Sequence, residues 1–146
     1  MTLRLLVAED HLEDVELLRA ALEEAPLPCE LHAVRDGEDA LAFLGKREPF
    51  ESAPDVHLVL LDLNMPRLRG LDVLREVRSS ERWRDLTVII LTTSDAPHDV
   101  EASYAAGANA FVTKPVDFAT FFDVTHAVTS YYAGMLGVAH RASTST

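Results

Sequence analysis

The chain predicts a doubly wound α/β domain on a five-stranded parallel sheet, the flavodoxin-like (βα)5 arrangement. Short apolar runs of strand length alternate with segments whose apolar residues recur at helical spacing. Parallel strands need crossover connections, and right-handed crossovers place helices on both faces of the sheet. A third observation locates the function: three of the apolar runs end in charged residues, Glu9-Asp10, Asp62 and Lys114. In folds of this class the site lies beyond the carboxyl ends of the strands, near the point where strand order reverses.

Taken in order, Leu3 to Ala8 reads as the first strand. Leu12 to Glu24 carries Val15, Leu18, Ala21 and Leu22 on one helical face, and Pro26 and Pro28 close that helix. Cys29 to Val34 alternates weakly as a second strand; the turn pair Asp36-Gly37 then opens a helix holding Ala40, Leu41, Phe43 and Leu44, which stops near Gly45. The polar loop KREPFESAPD leads into the strongest strand, expected over Val56 to Leu61. Gly70 to Ser80 is predicted helical with Leu71, Val73, Leu74 and Val77 inward, Thr87 to Leu91 as strand four, Val100 to Ala106 as a helix and Ala110 to Thr113 as strand five. A long closing helix is expected from Asp117 to about Val138, with Phe118, Phe121, Phe122, Val128, Tyr131, Tyr132, Met135 and Leu136. Residues 1–138 form the domain, and 139–146 are expected to be a flexible tail.

A chain of 146 residues with 48% hydrophobic and 25% charged content is sized for one core, burying roughly two-thirds of its unfolded surface. The single Cys29 forms no internal disulfide and reads as a small, part-buried apolar residue, which suits a reducing, cytoplasmic setting. No signal peptide or membrane-length apolar stretch is present, because MTLRLLVAED reaches charge too early. The formal net charge of −11, from 24 acidic against 13 basic residues, argues against attachment to nucleic acid or anionic lipid, both polyanions. Part of that excess is ordinary solubility, and part is expected to form a cation site.

Glu9, Asp10 and Asp62 would place three carboxylates at neighbouring strand ends, where their repulsion is costly unless a cation is held there. Mg²⁺ suits such a site, since it prefers oxygen ligands and takes one or two carboxylates together with phosphate oxygens. The plain alternative is that acids after strands cap helices, and Asp10 before HLEDVELL is a candidate cap. One cap explains one acid, but not the acid pair, Asp62 and the lysine together. An aspartate can also act as a nucleophile toward phosphorus, provided that charge on the transferred group is offset. Lys114 offers an ammonium and Thr92 a hydroxyl for that purpose; taken singly, Lys114 is equally a surface lysine and Thr92 a β-branched strand residue.

LLVAEDHLED, LVLLDLNMPRLRGLDVLREVR, VIILTTSD and GANAFVTKPVD resemble, in order and spacing, the receiver domains of two-component response regulators. The resemblance runs to about residue 130, and its combination of acid pair, D-x-N-M-P-x-x-x-G, L-T and K-P is highly specific. It implies that Asp62 accepts a phosphoryl group from a histidine of a sensor kinase. It implies also that Asp10 binds Mg²⁺ directly, Glu9 through water, Asp62 with its carboxylate and Asn64 with its backbone carbonyl. Thr92 and Lys114 would contact the phosphoryl oxygens, and the Lys114-Pro115 bond is expected to be cis. Switching in the family draws in the strand-four hydroxyl and rotates an aromatic on strand five, here Thr92 and Phe111. Phe111 departs from the commoner Tyr, which puts any contact through that hydroxyl in doubt, and Phe111 as plain core stays open. Thr93 sits where a small residue leaves access to the acceptor, and Asn64 and Ser94 occupy positions that tune hydrolysis.

The chain ends too soon for an output domain, so output is expected through a surface. With Phe118, Phe122, Thr125 and Tyr132 toward the core, Phe121, Val124, Val128, Tyr131 and Met135 form a second apolar face on the closing helix. Such a face suggests a homodimer through helix four, strand five and this helix, or else burial under its own tail. The LTTS stretch, the long loop before strand three and the long last helix also resemble small receivers that partner phytochrome-type kinases. Two other classes fit the residues less well. An aspartyl-nucleophile phosphohydrolase usually has a second aspartate two residues after the first, where this chain has Asn64, and carries a cap insertion that is missing. A phosphorylation-independent scaffold would normally have lost an acid or the lysine. The expected activity is therefore that of a phosphoacceptor, not an enzyme, with self-catalysed phosphotransfer and dephosphorylation only.

Overall fold

The computed structural model describes residues 2–25 and 28–114, together with residues 119, 123, 126, 127, 130, 131 and 134, which are helical. The elements run β1 (Leu3–Ala8), α1 (Leu12–Glu23), β2 (Cys29–Val34), α2 (Gly37–Leu44), β3 (Leu58–Leu61), α3 (Gly70–Ser79), β4 (Thr87–Thr92), α4 (Pro97–Ala105) and β5 (Ala110–Thr113). The five strands form one sheet in the order β2-β1-β3-β4-β5, every neighbouring pair parallel. The chain winds outward from β1 to β2 and then back across β3, β4 and β5. The order therefore reverses between β1 and β3, and their carboxyl ends flank the crevice that this topology creates.

The sheet is buried on both faces, as its continuous apolar strands require. Successive residues of a strand point to opposite faces. Leu3, Leu5 and Val7 thus join Leu58, Leu60 and Ile89 under Val15, Leu18 and Leu22 of α1. Leu6, Ala8, Val59, Leu61, Val88 and Ile90 face the other way and receive Phe43 and Leu44 of α2 and Val73, Leu74 and Val77 of α3. Each fully buried leucine or isoleucine in these two layers contributes about 1.5–3 kcal/mol of transfer free energy. β1 and β3 are interior strands, flanked by strands on both sides and by helices above and below, and they project their end residues from the middle of the sheet.

Several boundaries differ from those expected. β3 begins at Leu58 because the Arg4 N–H bonds to His57 Nδ1 at 3.0 Å instead of a strand carbonyl. α4 begins at Pro97, three residues before its first apolar residue, since a proline in the first turn has its φ already set for helix and needs no N–H partner. β4 extends by one residue to Thr92. Asp10 is not a helix cap: the N-cap of α1 is His11, without a side-chain cap bond. The expected cis Lys114-Pro115 bond, the core-facing aromatics after it and the 139–146 tail lie outside the described residues.

Gly70 fixes how closely α3 approaches the end of β3. Its N–H donates to the Leu63 carbonyl at 3.2 Å, and a Cβ there would stand 2.2 Å from the Asp62 carbonyl oxygen and 2.9 Å from Leu63 Cα. Gly70→Ala is expected to displace the Asp62–Leu63 backbone and cost about 1–3 kcal/mol, as overpacking does. Urea unfolding would show a lower midpoint at unchanged slope; an unmoved midpoint would contradict this close approach.

Candidate functional site

The sheet carries its hydrogen-bond ladder one residue past three strand ends, and this sets the site. The Glu9 N–H donates to Val34 O at 3.0 Å, the Asp62 N–H to Ala8 O at 3.1 Å and the Lys114 N–H to Thr92 O at 2.7 Å. With Ala8 opposite Leu61 and Leu61 opposite Ile90, Glu9 and Asp62 emerge side by side, and Thr92 lies one step further along β4 than the residue opposite Asp62. Glu9, Asp62 and Thr92 are all buried.

Lys114 gathers the carboxylates. Its Nζ hydrogen-bonds Glu9 Oε1, lies 2.9 Å from Asp14 Oδ2 and 3.5 Å from Asp62 Oδ2. Its side chain is 5% exposed, like that of Asp62, so these contacts are shielded from water. Burial acts to lower the Lys114 pKa, but the hydrogen bonds to Glu9 and Asp14 and the charge of Asp62 outweigh it and leave the ammonium more basic than usual. Burial pushes the Glu9 carboxyl up, and the Lys114 and His11 hydrogen bonds offset this only in part.

The remaining residues arrange themselves around this pair. Asp62 Oδ1 accepts the Asn64 N–H at 3.2 Å, which fixes the carboxylate's rotation. Glu9 Oε2 accepts both the His11 N–H at 3.0 Å and the His11 ring Nδ1–H at 2.9 Å. Asp10 Oδ1 is fully buried and, among the described residues, has no hydrogen-bond partner; His11 Nδ1 approaches it to 3.4 Å. A buried carboxylate oxygen left unpaired costs about 1–3 kcal/mol or more, which a cation at that oxygen removes. One ligand atom each of Glu9, Asp10, His11 and Asp62 lies within 4.8 Å of the others. An oxygen-rich, net negative donor set with an unpartnered oxygen fits a hard divalent cation.

The structure places Glu9, Asp10, Asp62, Asn64 and Lys114 at one sheet edge. The Thr92 hydroxyl accepts the Ser94 N–H at 3.5 Å and, among the described residues, does not hydrogen-bond the Asp62 carboxylate. Ser94 Oγ donates to the Asp99 carboxylate on α4, and Thr93 is exposed. Phe111 is half-buried against the α2–α3 core face, and its N–H donates to the Tyr104 hydroxyl at 3.1 Å. Of the second apolar face, Tyr131 is described and is 62% exposed; Phe121, Val124, Val128 and Met135 lie outside the described residues. Sequence reading missed Asp14 and His11. Asp14 stands four residues after Asp10, one helical turn on, a spacing that returns it to the strand ends.

Residues 5–126 match the response regulator receiver domain. The chain belongs to the response regulator receiver family. It is 34% identical over 128 residues to response regulator Rcp1 of Synechocystis sp., covering 88% of this chain and 87% of Rcp1. The Mn²⁺-bound structure of Rcp1 superposes with a TM-score of 0.83 at 33% identity, over 88% of this chain and 93% of that one. The phosphorylated cyanobacterial phytochrome response regulator RcpA gives a TM-score of 0.88 at 29% identity, over 92% of this chain and 96% of that one. Response regulator RPA3017, of red light signaling in R. palustris, gives 0.82 at 36% identity, over 88% and 92%. Receivers are signalling proteins that bind a divalent metal, and membership implies a histidine kinase as partner. No helix among the described residues is long and apolar enough to cross a membrane.

Two substitutions should move stability in opposite directions. Asp10→Asn removes one charge from a crowded acidic cluster, so it should stabilise the metal-free protein by about 1 kcal/mol, while abolishing any rise in Tm on adding Mg²⁺. Lys114→Gln leaves buried Glu9 without its cation and should destabilise by about 3 kcal/mol at pH 8. The loss should shrink toward pH 5: a carboxyl whose folded pKa lies above its unfolded value favours the folded state as it protonates, and neutral Glu9 needs no counterion. Thermal unfolding of both variants across pH, with and without Mg²⁺, checks the signs.

Proposed function

We propose that this receiver accepts a phosphoryl group on Asp62 from the phosphohistidine of a sensor kinase and signals through a phosphorylation-dependent surface. The observation that carries the reading is the convergence of Asp62, Lys114 and the Glu9-Asp10 pair at one sheet edge. The Asp62 carboxylate attacks phosphorus as the P–N bond to the kinase imidazole breaks, giving an acyl phosphate and returning the electron pair to the imidazole nitrogen. Asn64 holds one carboxylate oxygen by its N–H, leaving the other toward Lys114. Lys114 offsets charge on the phosphoryl oxygens, releasing part of its hold on Glu9 and Asp14 as it does so. The Thr92 hydroxyl, which accepts the Ser94 N–H, turns to the phosphoryl group, and Phe111 moves into the space it leaves. Glu9, Asp10, Asp62 and the Asn64 carbonyl are the residues that would hold Mg²⁺, which would supply positive charge to offset the phosphoryl oxygens.

The kinase is proposed to be phytochrome-type, on the strength of the likeness to RcpA and RPA3017, and the chemistry to take place in the cytoplasm, where ATP-fed kinases work. Phosphorylation is proposed to act on a homodimer whose face includes Tyr131 together with Phe121, Val124, Val128 and Met135. The exposure of Tyr131 supports that face. Ser94 and Asn64 are proposed to tune loss of the phosphoryl group by hydrolysis.

Incubation with a small phosphodonor and Mg²⁺ should add the mass of one phosphoryl group, absent in Asp62→Asn and abolished by EDTA. Turnover of general phosphate esters instead would point to a hydrolase, and no phosphorylation at all to a scaffold. Sedimentation at micromolar concentration should show a dimer in at least one of two states, with an acyl-phosphate mimic or without it; monomer under both conditions would exclude it.

A further inference from the structure

His11 gives the acidic cluster a donor that Mg²⁺ does not favour. It is the first residue after the acid pair, in extended conformation at the N-cap of α1 (φ −89°, ψ 105°). That turn brings its backbone N–H and its ring onto the same Glu9 oxygen, at 3.0 and 2.9 Å, with Nδ1 3.4 Å from Asp10 Oδ1. Asp10 Oδ1 is the one buried side-chain oxygen or nitrogen without a hydrogen-bond partner among the described residues. One ligand atom each of His11, Glu9, Asp10 and Asp62 thus lies within 4.8 Å of the others.

We propose that His11 makes this a mixed carboxylate–imidazole site that binds borderline divalent cations, of the Co²⁺, Ni²⁺ and Zn²⁺ class, through the ring nitrogen, in addition to Mg²⁺. The proposal rests on the metal-dependent reading above and names the cation class that the same site selects. Mg²⁺ takes oxygen ligands and keeps its waters, so it gains nothing from the imidazole. Later first-row metals bind nitrogen donors more tightly, in the order Mn²⁺ < Co²⁺ < Ni²⁺. Coordination through Nδ1 places the ring proton on Nε2, which water can reach because the side chain is 64% exposed. Glu9 Oε2 loses the ring donor but keeps the His11 backbone N–H, so turning the ring to a cation leaves no buried acceptor unpaired.

Calorimetric titration of the full chain with Mg²⁺ and separately with Co²⁺ tests this in the wild type, His11→Asn and Asp10→Asn. His11→Asn should weaken Co²⁺ binding by about tenfold or more, given that even outer-shell partners of a metal site are worth that much, and weaken Mg²⁺ binding far less. The visible absorption of bound Co²⁺ should shift on loss of the nitrogen ligand. Unchanged Co²⁺ affinity and spectrum in His11→Asn would overturn the proposal, as would an equal fall for both cations, which marks a purely structural role. Co²⁺ binding that survives Asp10→Asn lies at other histidines and counts against it too. Failure of the underlying reading looks different: the wild type then binds no Mg²⁺, or Asp10→Asn binds it equally well.

Discussion

A single ammonium placed among carboxylates is the constraint on which this molecule turns. Lys114 reaches Glu9, Asp14 and Asp62, partners 105, 100 and 52 residues away in sequence. It ties the end of β5 to the end of β1, the first turn of α1 and the end of β3. Without it, buried Glu9 and Asp62 would repel one another across the reversal of strand order. With it, the two carboxylates share one counter-charge at neighbouring strand ends. Such a pair is poor as a source of stability, because desolvating the charges offsets most of what their attraction returns. Its value is positional.

The site therefore works against the fold that carries it. Two continuous apolar layers, whose anchors Leu6, Leu61, Leu5 and Ile89 are each no more than 1% exposed, position the strand ends that keep four acids in one crevice. An orphaned Asp10 oxygen and a Glu9 carboxyl raised by burial are local costs that a domain designed only for stability would discard. Proteins concentrate such violations where they act.

Most of this was legible in the sequence because two signals reinforced one another. Periodicity gave the strands, and the charged residues that ended them, Glu9-Asp10, Asp62 and Lys114, were also the ones that the family resemblance picked out. The boundaries that slipped did so for reasons invisible to hydropathy: a histidine ring standing in for a strand carbonyl at His57, and a proline opening α4 before any apolar residue appears. Asp14 and His11 escaped for another reason. Both belong to the site through side-chain direction and backbone turn rather than through type or motif, and a run of acids on a helix face looks alike whether it meets water or a buried lysine.

The hydroxyl of Tyr104 on α4 bears on how other chains can meet this one. β5 is an edge strand, and an edge normally offers its outward N–H groups to any extended peptide that passes. Here the outward N–H of Phe111 is already taken by that phenol, so a visiting strand must displace a side chain before it can extend the sheet. Recognition along this border accordingly falls to protruding side chains and not to main-chain pairing, which protects a short, half-buried strand from templating aggregates.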